Sequence, residues 1–294
     1  MKTAMKQNPV VSYFVLAYAL SWIVWIPVAL VVTSAGEPPE WILLLTILGI
    51  YGASAAGFIM TGIMDGRAGV RGLLGRVRVW RIGIQWYAVV FLIIPALLLV
   101  GVAIYGLQGN PVGPFVPGEL PLLILAAIPA VFFGPLGEEF GWRGFALPRM
   151  QLRLSAFWTS IILGILHTFW HAPLFWIGGT TVSPDAVTLP AVGLFLSWVT
   201  IGTFFYTFVL NNTRGSMLLA ILLHWSANTS RGIILGLFPA LPESAQEQIL
   251  LAAQIPGWIA VVVLLALFGP AHLSRKKPPQ KYGFVEGSDP DVTP

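Results

Sequence analysis

The chain has 294 residues, of which 56% are hydrophobic and only 10% are charged. Soluble domains carry about 25% charged residues, so this composition excludes an ordinary soluble protein and predicts a polytopic helical membrane protein. The chain contains no cysteine, which excludes disulfides, thiolate metal sites and a cysteine nucleophile. The net charge of +4 requires no nucleic-acid partner, because basic loops on one side of a membrane produce that balance by themselves.

Apolar runs along the chain predict an all-α fold with eight transmembrane helices. In chain order the predicted spans are 10–33, 41–64, 84–106, 120–140, 156–177, 190–210, 216–238 and 255–271. With this count, all of the 16 lysines and arginines except Arg231 lie in the termini and loops of one side. Because positive charge marks the cytoplasmic side, both termini are predicted to be cytoplasmic.

The predicted organisation is one membrane domain, residues 1–273, followed by a polar tail, residues 274–294, that is predicted to be disordered. Within the membrane domain, the Gly- and Arg-rich stretch 65–81 predicts an inner loop that lies on anionic lipid. Residues 239–254 contain no lysine or arginine and are predicted to form an outer turn. The residues that could do chemistry fall in a core of about 120–230.

The first motif is the stretch Gly134-Pro-Leu-Gly-Glu-Glu-Phe-Gly-Trp-Arg143, at the end of an apolar run. Charge at such a place is expensive and indicates function. Glu139 and Arg143 are four residues apart, so on a helix they share a face and can pair. Glu138 points elsewhere and stays free to act as a general base on water. The structural alternative is that both glutamates lie in the aqueous interface and fix the geometry of a loop.

The second motif is the pair His167 and His171, which are four residues apart and precede Pro173. Two histidines at this spacing share a helix face and are a familiar arrangement of metal ligands. A single histidine inside a membrane is also often an interhelical hydrogen-bond donor. Both interpretations stay open for His167.

The third motif is the pair His224 and Asn228, again four residues apart in an apolar run. These two side chains could donate hydrogen bonds to a developing oxyanion, or His224 could bind a metal. Arg231 follows on roughly the same face. It is a further candidate for the site, although an arginine near the outer end of a span can simply extend its head to the interface.

The order of the three motifs, Glu-Glu-x-x-x-Arg, then Trp-His-Ala-Pro, then His-x-x-x-Asn two spans later, resembles the CPBP (Abi) family over about 120–230. This family comprises type II CAAX prenyl endopeptidases and proteins of bacteriocin processing or immunity. The resemblance implies an eight-helix intramembrane endopeptidase, usually grouped with metalloproteases, that has a polar cavity. It implies catalytic roles for Glu138, His171, His224 and Asn228, with Glu139 and Arg143 as structural support.

The chain departs from the family at His167, where an aromatic residue is common, and this departure adds a candidate ligand. Two expectations about cofactors therefore stand side by side. Either Glu138, His171 and His224 hold a zinc ion, or no metal is needed and His224 with Asn228 forms an oxyanion hole.

The predicted function is hydrolysis of a peptide or protein substrate, prenylated or otherwise hydrophobic, by a water that Glu138 activates within the bilayer. The main alternative is a non-catalytic scaffold or bacteriocin-immunity protein of the same fold. A transporter or proton relay is less favoured, because the two halves show no internal symmetry. The absence of cysteine and of eukaryotic retention signals favours a bacterial inner membrane.

These assignments constrain the fourth helix. If it ended at residue 140, Glu138 would lie near the inner surface while His171 and His224 lay deeper. Either the fourth helix continues to about Arg149 or the fifth begins after Ala156. Pro129 and Pro135 also allow a kink or a break in the fourth helix.

Overall fold

The computed structural model describes residues 2–35, 41–177, 187–242 and 244–275, which are mostly helical and include no β-strand. The α-helices are α1 (Lys2–Gln7), α2 (Pro9–Ala35), α3 (Trp41–Gly75), α4 (Ile84–Leu107), α5 (Leu120–Ala127), α6 (Pro135–Gly141), α7 (Leu147–Met150), α8 (Ala156–Trp170), α9 (Leu189–Asn212), α10 (Met217–Leu237) and α11 (Ala245–Phe268). The all-α prediction is therefore confirmed for the described residues.

Five described helices, α2, α3, α4, α9 and α11, are long and apolar enough to cross a membrane. A sixth candidate is the pair Pro117–Phe132 and Pro135–Met150, which is bent by 49° at its break. Helix α8 is apolar but shorter, and α10 carries the polar residues of the third motif. The protein is an integral membrane protein with several spans, and the count of eight stays a prediction.

The predicted fourth span is broken rather than continuous. A 3₁₀ turn over Ile128–Phe132 follows α5, and the chain then breaks at Gly134 before Pro135 begins α6. Proline suits a first helical position because its missing N–H would have no helical partner there. Beyond the break, α6, a π-helical turn over Trp142–Ala146 and α7 follow one another up to Met150. The predicted extension to about Arg149 is thus confirmed, and α8 begins at Ala156 as predicted.

Two predicted connections are wrong because hydropathy reports apolar character and not helicity. Helix α3 continues to Gly75 across a kink at Gly66, where φ is 66°, so most of the predicted loop 65–81 is helical. Helix α11 begins at Ala245, inside the predicted outer turn 239–254. Its first turn contains Glu247 and therefore lacks the apolar signal on which the prediction depended.

Glycines bring α6 very close to α3. A Cβ at Gly141 would lie 2.2 Å from the backbone oxygen of Ala53 and 2.4 Å from the hydroxyl of Tyr13. A Cβ at Gly57, on α3, would lie 2.8 Å from the Cα of Gly141. Small residues allow helix backbones to approach in this way. The helix that carries both glutamates is therefore fixed against α3 by its backbone.

The chain after α11 folds back onto the ends of α8 and α9. The amides of residues 156 and 157 donate to the carbonyls of residues 271 and 270 at 2.9 and 3.0 Å. The side-chain amides of Asn211 and Asn212 donate to the carbonyls of residues 272 and 273 at 2.7 and 2.8 Å. This segment connects three helices at one end of the molecule, and residues 276–294 of the predicted tail lie outside the described residues.

Candidate active site

One cavity, of about 360 Å³, brings together side chains of all three motifs. The motif residues in its lining lie on α6, on the π-helical turn, on α8, at the position directly after α8, and on α10. The polar residues of the motifs that line it are Glu138, Arg143, His167, His171, His224 and Asn228. The three motifs therefore meet at one place, as their resemblance to the family predicts.

Glu139 and Arg143 form the predicted pair. A terminal nitrogen of Arg143 donates to Oε1 of Glu139 at 3.0 Å, and both side chains are fully buried. The guanidinium also lies over the ring of Tyr206, 3.8 Å from its centroid, in cation–π geometry. Tyr206 on α9 was not predicted, because a tyrosine inside an apolar run carries no sequence signal of this contact.

The same carboxylate of Glu139 holds His224. The Nδ1 atom of His224 lies 2.6 Å from Oε1 of Glu139. Because an ionised carboxylate only accepts hydrogen bonds, Nδ1 carries a proton and donates it. The ring is thereby oriented with Nε2 directed away from Glu139, so Glu139 supports both a cation and a histidine of the site.

Glu138 faces His167 instead of Arg143. The Nε2 atom of His167 lies 2.7 Å from Oε2 of Glu138, and the two residues are 5% and 4% exposed. The prediction that Glu138 points away from the Glu139–Arg143 pair is thus confirmed. The contact with His167 was not predicted, since it depends on the placement of α8 against α6.

His171 lies directly after the last turn of α8, and its orientation is fixed by the backbone. Its Nδ1 atom donates to the carbonyl of His167 at 2.9 Å. The ring contacts Trp170 and Phe195, with centroids 4.7 and 5.4 Å apart. In the neutral ring Nε2 then carries the lone pair, so His171 can accept a proton or bind a metal through that atom.

The break at Gly134 lies beside polar groups of the site. A Cβ at Gly134 would lie 2.7 Å from Nδ2 of Asn228, 3.3 Å from Nε2 of His224 and 3.7 Å from Oε1 of Glu138. The φ angle of 158° is also one that L side chains rarely adopt. A side chain at this position would therefore press on Asn228 and His224, and glycine avoids that contact.

Arg231 lies apart from this site. It is exposed and borders a small separate cavity with Leu98, Ile234 and Ile249. The interpretation of Arg231 as an interfacial arginine agrees better with this position than a role in the site.

Glu138, His167 and His171 form a group that could hold a metal ion. Each offers one ligand atom, and these atoms all lie within 4.8 Å of one another. Nitrogen and oxygen donors suit zinc, and the carbonyl that holds Nδ1 of His171 is typical support for a ligating histidine. The residues present therefore fit zinc, with Glu138 and His171 from the predicted ligand set and His167 in the place of His224.

Comparison with known proteins supports the family that the motifs resemble. Residues 120–230 match the family model described as "Type II CAAX prenyl endopeptidase Rce1-like". The chain is also similar to "CAAX prenyl protease 2" of Methanococcus maripaludis, with 29% identity over 164 residues. That alignment covers 52% of this chain and 58% of the archaeal protein. The predicted resemblance to the CPBP family is confirmed, over the part of the chain that carries the site.

Proposed function

We propose that the protein is an intramembrane endopeptidase in which Glu138 activates the water that attacks a peptide bond. The observation that carries the proposal is the arrangement around Gly134. There Oε1 of Glu138, Nε2 of His224 and Nδ2 of Asn228 all lie within 3.7 Å of the position that a Cβ on Gly134 would take, and all three residues line the cavity. A base and two potential hydrogen-bond donors around one point are what hydrolysis of an amide requires.

In the proposed reaction, Glu138 takes a proton from water while the water oxygen bonds to the scissile carbonyl carbon. The lone pair on Nε2 of His171 accepts a hydrogen bond from the same water and orients it. The carbonyl electron pair moves to the oxygen, which accepts hydrogen bonds from Asn228 and His224. The C–N bond then breaks, and Glu138 passes its proton to the departing amine, which regenerates the base.

His224 can donate from Nε2 only when both of its ring nitrogens carry protons, because its Nδ1 proton is directed at Glu139. The Glu139 carboxylate accepts the Nδ1 proton of His224 at 2.6 Å and so fixes the orientation of the ring. Arg143 in turn holds Glu139 in place. The buried ion pair thus supports the donor that would face the oxyanion.

A zinc ion would be held by Glu138, His167 and His171, and it would supply Lewis-acid polarisation of the carbonyl and a more acidic water. In that case Glu138 would serve as a ligand and would no longer be the free base. Treatment with a chelator therefore distinguishes the two forms of the proposal.

We further propose a hydrophobic peptide substrate. The cavity is also lined by apolar residues of α3 and α9, among them Ile47, Ile50, Phe195 and Trp198. Such a lining suits an apolar group beside the scissile bond. Because the archaeal relative is named as a prenyl protease, we include prenylated peptides among the proposed substrates. From the positive-inside pattern we also propose that substrates approach from the cytoplasmic face of a bacterial inner membrane.

The test is proteolysis by the full-length protein in liposomes, with matched prenylated and unprenylated peptides. Wild type is compared with Glu138→Ala, with chelator-treated wild type and with Glu119→Ala as the control, since Glu119 is exposed and lies outside the cavity. We expect Glu138→Ala to abolish cleavage, and Glu119→Ala and the chelator to leave it unchanged.

Cleavage that the chelator abolishes would support the zinc-bound form of the site instead. Cleavage that persists in Glu138→Ala would contradict the proposed role of this glutamate. A folded wild-type protein that cleaves none of the peptides would favour a scaffold or immunity protein.

A further inference from the structure

His167 is a residue that the family pattern does not account for, and yet it contacts the proposed base directly. Its Nε2 atom lies 2.7 Å from Oε2 of Glu138, in a buried pair. Because an ionised Glu138 can only accept, Nε2 carries the proton of this hydrogen bond. One of the two carboxylate oxygens is thereby held, and Oε1 is the oxygen near Gly134, His224 and Asn228.

The ring of His167 is itself fixed by packing. It lies 4.8 Å from the ring of Trp142 and 4.9 Å from that of His171, measured between centroids. Its Nδ1 atom is buried and has no hydrogen-bond partner among the described residues. A buried N–H without a partner is costly, so this environment favours the neutral ring with its proton on Nε2.

We propose that His167 is a positioning residue that holds the Glu138 carboxylate with one oxygen turned toward the reacting water. This inference rests on the proposed function, because it assigns the orientation of the same base. A carboxylate without this partner can rotate, so that Oε1 moves away from His224 and Asn228. A misplacement of about 1 Å can lower a rate about 100-fold, and loss of an outer partner typically costs about 10- to 100-fold.

The first test compares His167→Phe with His167→Gln in the liposome assay. Phenylalanine keeps an aromatic ring between Trp142 and His171 but cannot donate a hydrogen bond. Glutamine places an N–H near the position of the histidine Nε2 atom. We expect kcat of His167→Phe to fall about 10- to 100-fold with KM within about twofold, and His167→Gln to recover most of that loss. His272→Gln is the matched control, because His272 lies after α11 and outside the cavity.

An unchanged kcat in His167→Phe would overturn the inference. A loss of kcat that is equal in both variants, with thermal stability retained, would also overturn it. Loss of bound zinc in those variants, measured by mass spectrometry of metals, would then identify His167 as a ligand. The variant Glu138→Ala tests the proposed function separately. If the proposed function is wrong, this variant will cleave the peptides as wild type does.

A second test does not depend on activity. Nitrogen NMR of the ¹⁵N-histidine-labelled protein in detergent, with the His167 signal assigned from its absence in His167→Phe, reports which ring nitrogen carries the proton. We expect the Nε2–H tautomer and a shift of this signal in Glu138→Ala. An Nδ1–H tautomer in wild type would overturn the inference.

Discussion

At the scale of single residues, Glu139 is the carboxylate that contacts both Arg143 and His224. One oxygen, Oε1, accepts from Arg143 at 3.0 Å and contacts His224 at 2.6 Å. The other, Oε2, is buried without a hydrogen-bond partner among the described residues. Removing this negative charge would leave the buried guanidinium of Arg143 uncompensated.

The substitution Glu139→Gln is therefore expected to destabilise the fold by about 3 kcal/mol, since breaking one side of a buried ion pair typically costs that much. The measurement is thermal unfolding in detergent, followed by tryptophan fluorescence. Glu119→Gln, at an exposed position, is the control and should leave the unfolding temperature unchanged.

The double variant Glu139→Gln/Arg143→Met separates stability from activity. It should recover most of the stability, because replacing a buried ion pair by apolar groups is often neutral. It should not cleave the peptides in the liposome assay, because His224 has lost the carboxylate that orients its ring. A single variant as stable as wild type would show that Arg143 does not need Glu139.

What the sequence could predict at this scale was limited to local spacing. The pairing of Glu139 with Arg143 follows from helical periodicity alone, because residues four apart share a face. The contacts of Glu138 with His167 and of Glu139 with His224 join residues of different helices. Such contacts depend on how α6, α8 and α10 pack, and the spacing of residues along the chain does not predict the distances between helices.

At the scale of elements, the position of both glutamates depends on the close approach of α6 to α3. The glycines at this contact leave no space for a side chain, and the atoms that oppose Gly141 include a backbone carbonyl that cannot move by changing rotamer.

The substitution Gly141→Ala is accordingly expected to push α6 away from α3, with a loss of about 1–3 kcal/mol of stability as in other overpacked interiors and a loss of cleavage. The measurements are thermal unfolding and the peptide assay. Gly62→Ala, on the neighbouring helix α3, is the control, because the nearest atom to its Cβ would be a methyl of Val70 at 3.9 Å. Equal behaviour of the two variants would contradict the role given to this contact.

The sequence predicted the elements better than it predicted their ends. Apolar runs located a helix in each of the eight predicted spans, because burial in lipid requires both apolar side chains and internally satisfied backbone. They missed the extension of α3 to Gly75 and the first turns of α11, where the helix has polar residues. The break at Gly134 could be anticipated from Pro135, but its position close to Asn228 and His224 could not.

At the scale of the whole molecule, the segment after α11 closes one end of the helix assembly. Its backbone carbonyls accept hydrogen bonds from the start of α8 and from the end of α9. Each such bond contributes about 1 kcal/mol net, and four of them act together.

Truncation after Gly269 should therefore lower the unfolding temperature by several degrees, whereas truncation after Arg275 should leave it unchanged. The second variant is the matched control, because it keeps residues 270–273 and their hydrogen bonds. Equal unfolding temperatures for the two truncations would show that the contacts of residues 270–273 contribute little.

The size of the cavity has a consequence for what the site could cut. About 360 Å³ is in the range of pockets that hold small molecules, so a short stretch of extended chain fits and a folded element does not. A bond inside a helix would first have to give up its own backbone hydrogen bonds. Local unfolding of the substrate would then precede cleavage, and the rate on different substrates would follow the ease with which each one frays. If the protein is the proposed endopeptidase, it would cut chain ends and flexible linkers in preference to intact helices.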